Sequence, residues 1–107
     1  MKNVLVVAGL FAVGMIIYIV YIEFLTDIAI GWRAYKRGDY ETALEYYVKA
    51  CYGGESVACS NLGHMYKDGT GVKLNKQMAL DYFGKACEMK NLYACEHYAE
   101  LKKELGQ

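Results

Sequence analysis

Proline is absent from this chain, and a proline-free sequence that is 55% apolar and carries 11 tyrosines is not a disordered one. An excess of either charge is missing too. Lys+Arg and Asp+Glu stand at 12 each, so electrostatics makes no case for nucleic acid or for a strongly acidic partner. No window alternates apolar and polar residues for long, which argues against a sheet. Histidine is scarce: His64 and His97 fall on different predicted helices, so no cluster of metal-ligand spacing forms. The Asp68-Gly69-Thr70-Gly71 stretch reads as an inter-helix turn whose glycines serve backbone geometry, not as a phosphate loop. No catalytic residue, metal or cofactor is expected.

Charge is also missing from Asn3 to Ile22. The 19 residues Val4–Ile22 would span about 28 Å as a helix, close to the ~30 Å hydrocarbon core of a bilayer. Tyr18 and Tyr21 lie near the far end of this run, where interfacial aromatics belong. A cleaved secretory signal is the rival reading, which would leave the rest secreted. Against it, the run exceeds the usual apolar core of a signal, and no small-x-small site precedes a polar start. Residues 1–25 are therefore expected to be an uncleaved single-pass anchor and residues 26–107 a separate domain. Lys2 favours an inside N-terminus, whereas Arg33, Lys36 and Arg37 oppose it. Ala8 and Ala12 form a small-xxx-small pair suited to helix dimerisation.

What is present in quantity is repetition. Cys51 and Cys59 are eight apart, as are Cys87 and Cys95, and the second pair follows the first by 36 residues. The segment Ala43–Cys51 aligns with Ala79–Cys87 at the same offset. A period in the mid-thirties marks a helical repeat array. Asp27 is expected to cap a helix over Ile28–Arg37, which Gly38 ends. Asp39, Ser56, Asn75 and Asn91 are expected to open four more, the last ending near Leu105. Packed stripes are predicted at Tyr40, Ala43, Leu44, Tyr47 and Cys51, at Ala58, Cys59, Leu62, Gly63 and Tyr66, and at Ala79, Tyr82, Phe83, Ala86 and Cys87. Ala94 and Ala99 continue the series of small inward residues on the last helix.

Residues eight apart on one straight helix lie about 12 Å apart along its axis, too far for a disulfide. Each cysteine pair can close only if the chain turns between its members, at Gly53-Gly54 and at Lys90-Asn91. A bridge would then staple one helix to the next, worth roughly 2.5 kcal/mol for so short a loop. The alternatives are buried free thiols in a reducing compartment, or zinc held by four cysteines. Disulfides would place the repeats in an oxidising space, which resolves the orientation in favour of a bacterial inner-membrane anchor with a periplasmic domain.

The pattern Ala58-x-x-x-Leu62-Gly63-x-x-Tyr66-x-x-Gly69-x-Gly71-Val72, followed by Lys76-x-x-Ala79-x-x-Tyr82-Phe83-x-Lys85-Ala86-Cys87, resembles a SEL-like repeat, a relative of the tetratricopeptide. Gly31–Ala50 is similar to a plain tetratricopeptide motif. The Lys-Ala-Cys ending with a partner cysteine eight residues on resembles the cysteine-rich protein family of Helicobacter. That resemblance implies an α-solenoid of antiparallel helix pairs, stapled by Cys51–Cys59 and Cys87–Cys95. Members of that family usually carry more repeats and a secretory signal, whereas the fold expected here is all-α with a transmembrane helix, read from the apolar run, followed by a short solenoid. The resemblance also implies beta-lactam binding with weak hydrolysis. The residues do not support the latter, since the positions three after Ser56 and Ser60 are Cys59 and Gly63, so Ser-x-x-Lys is absent.

A peptide- or protein-binding face is easier to argue. In such stacks the first helix of each unit lines a concave surface. The packed stripe on the third helix leaves Ser60, Asn61, His64 and Lys67 outward, and an offset of 36 adds Glu96, His97, Glu100 and Lys103. Trp32 and Tyr35 are the corresponding residues of the first unit. Trp32 can anchor a peptide or rest on lipid headgroups.

Overall fold

A computed structural model describes residues 2–107, with side chains described for residues 6–22 and 26–107. The orientation argument from Lys2 rests on a side chain outside that set. Among the described residues every regular element is a helix: α1 (Lys2–Lys36), α2 (Tyr40–Tyr52), α3 (Ser56–Asp68), α4 (Lys76–Glu88) and α5 (Leu92–Glu104). The all-α expectation holds.

Side-chain caps set most of the helix starts. The Asp39 carboxylate accepts the Thr42 N–H at 3.2 Å, and the Asn75 and Asn91 side chains accept the Met78 and Ala94 N–H groups, each at 3.1 Å. Ser56 does not cap α3. Glu55 takes that position and accepts the Val57 N–H at 3.2 Å. Ser56 instead opens the helix, and its hydroxyl accepts a hydrogen bond from the Asn91 amide at 3.3 Å, which ties the start of α3 to that of α5.

The expected short helix from Asp27 is not a separate element. α1 runs unbroken from Lys2 to Lys36 with Asp27 inside it. No glycine or proline lies between Ile22 and Ile28 to stop it. The Thr26 hydroxyl donates back to the Ile22 carbonyl at 2.6 Å, the intrahelical bond open to threonine, so nothing competes with continuation. The expected division at residue 25 therefore falls within one continuous helix.

α1, α3 and α5 form one layer and α2 and α4 the other. His64 meets Tyr93 across α3 and α5, Tyr52 of α2 meets Lys85 of α4 on the opposite side of the stack, and Tyr66 stacks on Tyr82 between the layers. The core threads between the layers: Ala34, Ala43, Tyr47, Ala50, Ala58, Leu62, Met65, Ala79, Leu80, Phe83, Ala86, Ala94 and Leu101 are all buried. Two expectations about it need correction: Ser60 is buried rather than outward, and Ala99 is exposed. Tyr66 packs against the core as expected, and Met65 beside it is buried as well. Burial of Ser60 and Met65 has one cause: α3 is packed by α2 on one side and α4 on the other, so more of its circumference is covered than one stripe. Ala99 lies on a face of α5 that no described element covers.

Two glycines let the layers approach. A Cβ on Gly63 would lie 2.8 Å from the Phe83 ring, and one on Gly31 would lie 2.8 Å from the Tyr47 ring. Tyr47 and Phe83 are themselves 36 apart, so each unit buries one aromatic ring against a glycine of the preceding helix. Both cysteine pairs are bridged, with Cα–Cα distances of 4.7 Å for Cys51–Cys59 and 4.6 Å for Cys87–Cys95. The turns between them sit where expected. Gly54 has φ of +98°, and Lys90, at the equivalent repeat position, has φ of +70° without being glycine.

Candidate functional site

Five side chains from three helices surround one small cleft of about 160 Å³: Trp32 and Tyr35 from α1, Tyr47 from α2, and Asn61 and His64 from α3. Their convergence follows from the layering, since α1 and α3 lie side by side and α2 closes the floor. Trp32 and Tyr35, almost one turn apart, are stacked with centroids 6.2 Å apart and planes 4° apart. Tyr35 is held on its other side by the edge of Tyr40 at 5.3 Å. Trp32 is half exposed, with Lys36 Nζ 5.4 Å from its ring.

The floor is buried. Tyr47 is 1% exposed and its hydroxyl has no hydrogen-bond partner. Burial, reinforced by nearby Tyr35, pushes its pKa up to about 12. Asn61 opposes that shift slightly from beside the hydroxyl, but the two groups do not reach hydrogen-bonding geometry.

Next to this cleft the structure joins residues whose proximity the sequence did not suggest. His64 Nε2 and the Tyr93 hydroxyl share a hydrogen bond of 3.0 Å. The His64 and His97 rings meet edge to face at 4.8 Å, and His97 stacks on Phe83 at 5.3 Å. His97 Nδ1 is buried and lies 3.9 Å from the Glu100 carboxylate, beyond hydrogen-bonding distance. The pair brought together by α3 and α5 is a packed aromatic cluster, with no third ligand to make a metal centre among the described residues.

Burial holds the pKa of His64 below its ordinary 6.5, with His97 and Lys67 acting in the same direction and Asp68 against it. The folded state therefore binds a proton at lower pH than the unfolded state does. Through the window just below pH 6.5 the unfolded chain carries more protons, so stability falls as pH falls. Thermal melting from pH 7.5 down to 5 is expected to show a declining Tm, and His64→Gln is expected to flatten that decline.

The other expected site residues scatter. Lys67 is half-buried, Glu96 and Glu100 are exposed on α5, and Lys103 is exposed near its end. Ser60 faces the core, where its hydroxyl has no partner. Of the ten residues proposed for the face, Trp32, Tyr35, Asn61 and His64 share the cleft, and His97 with Glu100 adjoins it. Tyr47 and Tyr93 were missed. Tyr93 is one helical turn before His97 and could have been found by that spacing; Tyr47 reads as core because it also is core.

The profile of the Sel1 repeat matches residues 31–55 and 56–91. The chain belongs to the Sel1-repeat family. The first Sel1 unit joins the end of α1 to α2, the second is α3 with α4, and α5 closes the stack. Sel1 repeats are typically protein–protein interaction modules and are generally not enzymes. Among curated relatives, the provisionally named beta-lactamase HcpE of Helicobacter pylori is 35% identical over 71 residues, 66% of this chain and 20% of its own length. The similarly named HcpD is 46% identical over 43 residues, 40% of this chain and 14% of its own. Cytochrome c oxidase assembly factor 7 of Xenopus tropicalis is 34% identical over 62 residues, 57% of this chain and 27% of its own. The chain thus spans less than a third of each of these relatives. No solved structure matches it.

Proposed function

We propose that the chain is a membrane-tethered Sel1 module whose α1/α3 face binds a protein or peptide in an oxidising compartment. One observation carries this reading: an exposed tryptophan, a stacked tyrosine and two polar groups converge from two helices on a single cleft that Tyr47 of a third helix also lines. Aromatic anchors in pockets contribute most of the binding energy at protein interfaces. Replacing Trp32 by Ala is expected to weaken partner capture by roughly tenfold or more. Because Trp32 is half exposed, Tm should stay within a few degrees. A Trp32→Ala protein that melts normally and captures its partner undiminished would sink the assignment.

The tether rests on α1. Its residues Val6 to Ile22 are exposed and apolar, and the helix is long and apolar enough to cross a membrane. The disulfides and this helix together fit a periplasmic or secreted protein. We place the repeats in the periplasm, with the secreted form after cleavage as the alternative. Ala8 and Ala12 are exposed on α1 and offer the face for helix pairing. Beta-lactam chemistry is carried only by the names of relatives. Ser60 is buried in the core and Ser56 is engaged with Asn91, so neither serine is placed as a nucleophile beside a lysine base.

A further inference from the structure

α1 has no break between its apolar stretch and the wall of the cleft. Ile22 ends the uncharged run and Trp32 follows ten residues later, about 15 Å further along the helix. The headgroup layer extends only about 5–7 Å beyond each side of the hydrocarbon core. A tilt of about 20° would lower the height by less than a tenth. Trp32 therefore stands clear of the headgroups rather than resting on them. The cleft is held at a fixed height just above the bilayer, a distance that an extended chain covers in about five residues.

Size narrows the occupant further. At about 160 Å³ the cleft is smaller than the 300–1,000 Å³ typical of small-molecule sites, and it has room for one side chain. Its walls include the flat, stacked rings of Trp32 and Tyr35, and Asn61 and His64 supply the polar part of its lining. A planar side chain with a hydrogen-bonding tip satisfies both. Arg33 and Lys36 are exposed on the same stretch of α1 and favour an acidic neighbour next to it. One seated side chain gives weak capture from free solution. Confinement in the same membrane raises the effective concentration toward the mM range and makes such a contact sufficient.

We infer that the cleft takes one planar, hydrogen-bonding side chain from the juxtamembrane segment of a second protein anchored in the same membrane. This rests on the reading of α1 as membrane-spanning. The test is photocrosslinking in the cells that make the protein, with Tyr35→p-benzoylphenylalanine in the full-length chain, followed by alkaline carbonate washing of the membranes. The chain should stay in the washed membranes and form an adduct with a protein that stays there too. The crosslinked residue should map within about ten residues of that protein's apolar span. Adding Trp32→Ala should weaken the adduct by roughly fivefold or more, and Lys85→p-benzoylphenylalanine, on the other layer, should not form it. The same photoreactive group at Trp32 in place of Tyr35 guards against a misfolded variant. Adducts only with proteins that wash off, adducts only with lipid, or no adduct at either position would overturn the inference and leave the tether standing. A chain that itself washes off would overturn the tether.

Discussion

Reducing both disulfides should lower the Tm of the repeat domain by about 20 °C or more. Each bridge closes a loop of eight residues, worth roughly 2.5 kcal/mol in the chain-entropy model. Two bridges contribute about 5 kcal/mol, against a total of only about 4–12 kcal/mol for some 80 residues at typical stability per residue. A shift of 1 kcal/mol moves Tm by about 4–8 °C in a domain of this size. Loss of the bridges therefore takes most of the margin. The two should not be reduced together. Cys51 and Cys59 are each 0% exposed, whereas Cys87 and Cys95 are only half-buried, so limited reductant should open Cys87–Cys95 first. Circular-dichroism melts with and without a phosphine reductant, with mass mapping after partial reduction, check both statements. A Tm change of a few degrees would mean that the helix packing holds the domain without its staples.

The second large effect is expected at Phe83. Its side chain is fully buried, lies against Gly63 and supports both His64 and His97. Truncation to Ala removes that ring and leaves a cavity between the layers, at a cost of about 3–5 kcal/mol. Tyr52→Ala, at a side chain 68% exposed, should cost far less. Denaturant titration at pH 7 reads both. Phe83→Ala should also let water reach His64, returning its pKa toward 6.5 and weakening the pH dependence of Tm. A variant that loses less than about 1 kcal/mol would show that the two layers are not held together through this ring.

Much of this architecture is written in local chemistry. The offset of 36 residues that relates Cys51 to Cys87 also relates Tyr47 to Phe83 and Gly54 to Lys90, and all three pairs take equivalent places in the structure. Asp39, Asn75 and Asn91 cap as their residue types predict, because a short polar side chain next to a helix start has an orphan N–H within reach. What escaped was set by tertiary contact or by missing punctuation. The helix start at Asp27 looked plausible because Asp is a good cap, but a cap matters only where the helix ends, and nothing ends α1 there.

The candidate site divided along the same line. Trp32, Tyr35, Asn61 and His64 share a face because their spacing on α1 and α3 requires it. Ser60 failed because a single packed stripe underestimates burial on a helix covered from two sides. The contact between His64 and His97 was hidden by the repeat itself. His97 is equivalent to Asn61 and not to His64, and adjoining units bring non-equivalent positions together. Tyr47 is buried in the core and also lines the cleft, a double placement no periodicity reveals.

We propose a disulfide-stapled Sel1 domain in an oxidising compartment, held on an uncleaved helix. Intact mass of the full-length protein from its native cells, after thiol alkylation with and without prior reduction, tests it most directly. The expected result is no alkyl group before reduction, four after it, and an N-terminus that has not been shortened. Four alkylated thiols in the unreduced sample would contradict the account, place the repeats in a reducing space and reverse the orientation of α1.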